Sequence, residues 1–79
     1  MSPTVMRSGP YRLFFYSNEG NEPRHVHVQR ERRLAKFWLD PVKLVSSNGF
    51  GPAEQGRIQR IVEAGAPELK KAWDEYFEE

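Results

Sequence analysis

His25-Val26-His27 places two imidazoles two residues apart. On an extended strand such a pair shares one face, with Cβ atoms about 6–7 Å apart. Three roles suit it. The rings can hydrogen-bond locally on a half-exposed sheet face. They can serve as base and acid, since imidazole changes charge near neutral pH. They can ligate a metal ion, which needs about four ligands, or three and a water. The nearest carboxylates along the chain are Glu19, Glu22 and Asp40, and nothing in the sequence places them beside the rings. The sequence therefore predicts no metal ligands and no cofactor.

Arg24, Arg30, Arg32 and Arg33 gather around the same segment, with Tyr16 and Lys36 nearby. Guanidinium forks bind phosphate bidentately, and aromatic rings stack on unpaired bases. A metal-independent ribonuclease needs a base, an acid and cations for the phosphorane, and His25, His27 and Arg24 could fill those roles. The arginines around 30–33 also read as a solvated hairpin tip that blunts a sheet edge. Arg12, Phe14 and Tyr16 alternate on one strand face, either as an exposed recognition surface or as a small core under a loop. At the other end Asp74, Glu75, Glu78 and Glu79 form an acidic helix terminus. Negative charge is slightly unfavourable there, which fits a partner-binding patch or an ordinary frayed end. The chain has no glycine-rich phosphate loop, serine nucleophile elbow or zinc-protease motif.

These residues must be positioned by two kinds of element. Tyr11–Ser17, His25–Gln29 and Leu34–Leu39 alternate like strands and are bounded by Gly, Pro and Asn turns. Tyr11, Leu13 and Phe15 share a face, as do Val26 and Val28, and as do Ala35, Phe37 and Leu39. Asp40-Pro41 stops the third strand, and Val42–Val45 and Pro3–Met6 are candidate edge strands. Ser46–Gly49 reads as a loop. A helix begins at Gly51-Pro52, with Glu54 near its positive end and Ala53, Ile58, Ile61 and Val62 on one stripe. Gly65-Ala66-Pro67 predicts a break. A second helix carries Leu69, Ala72, Trp73, Tyr76 and Phe77 at helical spacing, a core-facing stripe. The expected fold is α+β: an antiparallel sheet of three to five strands over residues 1–45, then two helices within 52–78 packed on one face.

Composition bounds the function. At 79 residues there is room for one domain. Hydrophobic residues at 38% and charged residues at 29% are globular values. No apolar run reaches the roughly 18–20 residues of a bilayer crossing, and the N-terminus lacks an apolar signal segment. Cysteine is absent, which excludes disulfides, thiolate catalysis and cysteine zinc sites. A cytoplasmic location is expected. Residues 1–40 hold seven Lys/Arg against four Asp/Glu, residues 41–79 five against seven, and the net charge is +1. That balance disfavours a dedicated nucleic-acid binder but allows a local patch.

Tyr-Arg-Leu-Phe-Phe-Tyr-Ser at 11–17, Glu-Pro-Arg-His-Val-His-Val at 22–28, Ala-Lys-Phe-Trp-Leu-Asp-Pro-Val at 35–42, Asn-Gly-Phe at 48–50, Arg-Ile-Gln-Arg-Ile-Val at 57–62 and Ala-Trp-Asp-Glu-Tyr-Phe at 72–77 resemble the domain-of-unknown-function 4160 family along essentially the whole chain. The resemblance implies a small prokaryotic protein, often one half of a toxin–antitoxin-like gene pair or carried on phages and mobile elements. It supplies no catalytic residues. With no complete active-site set in view, the expected function is a non-enzymatic module that docks on a protein partner. That partner is an antitoxin-like protein, or a bacterial defence complex inhibited in the anti-CRISPR manner. The docking surface is expected among Arg24, Arg30, Arg32, Arg33, Lys36, Asp74, Glu75 and Glu78. The alternative is a toxin-type ribonuclease or RNA-binding protein using the His25/His27 face.

Overall fold

The computed structural model describes residues 4–78. Five strands, β1 (Thr4–Ser8), β2 (Tyr11–Phe14), β3 (His25–Arg30), β4 (Arg33–Leu39) and β5 (Val42–Asn48), precede one helix, α1 (Pro52–Phe77). The strands form an antiparallel meander in sequence order, so β1 and β5 are the two edges. The architecture is α+β, as the change of period predicts.

Two-residue alternation sorts the side chains into two faces. On one face Met6, Leu13, Val28 and Ala35 form a cross-strand row, and Val26, Phe37 and Leu44 a second. These residues meet Ile58, Val62, Leu69 and Trp73 of α1 in the core. On the other face Phe14, His27 and Lys36 are in register, as are His25, Trp38 and Lys43. The histidines therefore have the parity opposite to the main core face, although His25, at the start of β3, still reaches Trp73 of α1.

The expected pair of helices is a single helix. Ile58, Val62, Ala66, Leu69 and Trp73 are buried at spacings that run through the expected break. One continuous apolar stripe outweighs the roughly 3 kcal/mol that an interior proline costs. Pro67 lies on the exposed side of α1. The carbonyl of Glu63, which loses its i+4 donor there, also belongs to an exposed residue that water can reach. Gly65 allows the close approach of β1: a Cβ there would lie 3.1 Å from the Met6 thioether. Tyr76 departs from the expected core stripe and is 40% exposed.

Other boundaries also shift. Residues 46–48, read as loop, continue β5, because edge pairing uses the backbone and tolerates Ser and Asn side chains. β2 ends at Phe14, short of the expected Ser17, although Phe15 still enters the core. Gly51 caps α1 with Pro52 in its first turn, as the sequence predicts. Pro3 of the N-terminal edge strand and Glu79 of the acidic end lie outside the described residues. Among the described residues no helix is long and apolar enough to cross a membrane.

Candidate functional site: a buried histidine pair under one carboxylate

The connection between β2 and β3 brings Glu19 over the first turn of β3. Backbone bonds from Glu19 to Tyr16 and from Glu22 to Glu19 fold it into consecutive turns. Gly20 seats this segment on the end of α1, where any Cβ would fall 2.4 Å from Cδ1 of Phe77. The result is a closed cluster. Nε2 of His25 lies 2.7 Å from Glu19 Oε1, and Nε2 of His27 lies 2.9 Å from the same oxygen. Sequence reasoning had named Glu19 without placing it. Its position depends on the path of the turn, which is set by contacts with a helix more than fifty residues away in sequence.

Aromatic rings wall the cluster. The His25 ring is 4.8 Å from Trp73 and 5.8 Å from Trp38. His27 stacks on Phe14 at 5.4 Å and meets the edge of Tyr16 at 4.5 Å. Phe14 is buried and Arg12 lies over its ring, so this strand face is a small second core under the loop. His25 is 0% and His27 6% exposed.

The hydrogen bonds constrain the protons. Nδ1 of His25 is 2.9 Å from the Pro23 carbonyl, which can only accept, so Nδ1 carries a hydrogen. A neutral His25 thus turns a bare Nε2 lone pair toward Glu19. Either a proton or a cation must sit between these two acceptors. Burial lowers the pKa of His27, against the opposing pull of Glu19, and favours its neutral ring donating from Nε2. Burial would raise Glu19, but hydrogen bonds from His25 and His27 outweigh it and hold the carboxylate below its usual range. His27 Nδ1 is buried without a hydrogen-bond partner.

Of the predicted cations only Lys36 shares the histidine face, opposite His27. Arg24 and Arg30 have the strand parity of Val26 and Val28, opposite to the imidazoles, and both pair with α1. Arg24 makes a two-pronged contact to Asp74 at 2.9 and 2.7 Å. Arg30 grips Glu54 at 2.8 and 2.9 Å. Lys36 reaches Glu22 at 2.8 Å and lies over Trp38. Arg32 is exposed at the hairpin tip, and Arg33 pairs with Glu31 at 3.1 Å. Glu75 and Glu78 are exposed. The basic segment and the acidic helix end are thus joined at Arg24–Asp74.

A cleft of about 410 Å³ opens beside the cluster, lined by Pro23, Arg24, Trp38, Asp40, Pro41 and Lys43. Neither histidine lines it. A ligand there would rest on Trp38 with no contact to the imidazoles.

Residues 11–74 match the family model described as a domain of unknown function (DUF4160). Searches of curated proteins and of solved structures find no match. The chain belongs to the DUF4160 family.

Proposed function

We propose that this family member is a non-catalytic docking module that binds a protein partner along the exposed edge β5 and the neighbouring 31–33 hairpin. The carrying observation is the closure of the histidine pair. Acid–base catalysis requires a group within hydrogen-bond reach of a substrate proton. Here both Nε2 atoms meet one internal carboxylate oxygen, and both rings are buried. That weighs against the ribonuclease reading.

β5 supports docking. An edge strand leaves a row of unpaired N–H and C=O groups that an extended segment of another chain can join. Ser46 to Asn48 are exposed, and Val45 is 41% exposed at an irregularity in the β4–β5 register. Arg32 and Arg33 stand at the end of the same edge, where their charge would set specificity and association rate. The partner class is an antitoxin-like protein or a bacterial defence complex.

The test is capture from host lysate on the tagged chain, with and without RNase, comparing four baits. We expect a stoichiometric protein that survives RNase and is retained by His27→Gln. It should be lost from Val45→Asp and from Arg32→Glu/Arg33→Glu. RNA as the sole captured species overturns the reading. So does growth arrest on expression that His27→Gln abolishes while circular dichroism stays unchanged.

A further inference from the structure

We propose that Glu19, His25 and His27 form a binding site for a first-row divalent transition-metal ion of zinc type. Glu19 Oε1 and both Nε2 atoms lie within 4.8 Å of one another. Two imidazoles and one carboxylate are a donor set that zinc accepts with a water in the fourth position.

The proton arrangement is the stronger argument. Metal-bound imidazoles generally donate their second nitrogen to a carbonyl or carboxylate, which fixes the tautomer and aims the lone pair. The Pro23 carbonyl holds His25 in this state, with Nε2 directed at the carboxylate oxygen. A dication placed among the three atoms removes the conflict between that lone pair and Glu19. It releases the proton between His25 and Glu19 to solvent, while His27 exchanges its Nε2 hydrogen for one on Nδ1, so each ring keeps one hydrogen. His27 Nδ1 has no hydrogen-bond partner in the structure.

The fit requires a small movement. Zinc bonds of about 2.0–2.1 Å at tetrahedral angles separate neighbouring ligand atoms by roughly 3.4 Å. The present 2.7 and 2.9 Å must therefore open by about half an ångström, and the two imidazole nitrogens, up to 4.8 Å apart, must close toward that separation. Glu19 can supply the opening, since it sits in a turn and its side chain is 21% exposed. The closing falls to the two imidazole rings, which must turn about their side-chain bonds while their backbone stays in β3. The same exposed side gives the ion its route in and its water. Bound there, the ion would tie the β2–β3 connection to the sheet. This site is independent of docking at β5.

The experiment uses the full chain, free of any histidine tag and stripped with chelator. Zn²⁺ is titrated by calorimetry, and Co²⁺ is followed by its visible absorption as a four-coordinate probe. We expect one equivalent of each to bind, and Mg²⁺ not to compete. Loss of an outer partner alone costs a metal site about 10–100-fold in affinity. Glu19→Gln, folded by circular dichroism without metal, should therefore weaken Zn²⁺ binding by at least about 100-fold. His27→Gln is the second variant and should remove the Co²⁺ band. Absence of saturable binding overturns the site and leaves a proton-bridged ion pair. Binding unchanged in both variants also overturns it.

Discussion

Glu54 shows how much one side chain can organise. It accepts hydrogen bonds from the Tyr11 hydroxyl at 2.6 Å and from Nε and Nη2 along one edge of Arg30. First Arg30 and then Tyr11 hold its pKa down to about 2. A carboxylate depressed on folding stabilises fully above its unfolded value, near 4.5, and loses that contribution as pH falls toward 2. Glu54→Gln should therefore melt below the parent at pH 7, with the gap closing between about pH 4.5 and 2. Thermal melts of both proteins across that range check this, and a constant gap contradicts it. The sequence placed Glu54 at the helix start for its charge. Its pairing with Arg30 was not legible, because strand parity was not carried to Arg24 and Arg30. The same omission grouped Arg24 and Arg30 with histidines that face the other way.

The elements divide into those that announce themselves and those that tertiary contacts decide. Alternation in β2, β3 and β4 and the buried spacing in α1 follow from residue types, so the sheet and its core face were readable. The continuity of α1 was not. Local chemistry at Gly65-Ala66-Pro67 signals a stop, while the stripe from Ile58 to Trp73 gains only by packing on a sheet. Pro67→Ala should recover most of the roughly 3 kcal/mol helical penalty, less up to about 1 kcal/mol of lost chain stiffness, and so stabilise by about 2 kcal/mol. Denaturant unfolding measures this, and destabilisation would contradict it. The turn carrying Glu19 is set by Gly20 against Phe77. Gly20→Ala should cost about 1–3 kcal/mol by overpacking. It should also loosen Glu19 from both imidazoles, visible as shifted histidine ring resonances. An unchanged histidine spectrum with full stability contradicts that account.

Across the whole molecule, charge is spent holding parts together. Arg24–Asp74 and Arg30–Glu54 fasten the two ends of α1 to β3, and Lys36–Glu22 fastens the β2–β3 connection to β4. The Arg24–Asp74 pair is well exposed, at 38% and 53%, and is worth at most about 1 kcal/mol. Its value is orientation. Composition gave a near-neutral chain with basic and acidic halves, and only the fold reveals that the halves answer one another. The proposed docking surface is the β5 edge and the hairpin beside it. Hydrogen–deuterium exchange of the chain, alone and with its captured partner, tests that assignment most directly. Docking at the edge predicts slowed exchange in Val42–Asn48 and in residues 31–33, with β3 unchanged. Slowed exchange confined to residues 19–29 and Trp38, with β5 exchanging as in the free protein, would contradict it.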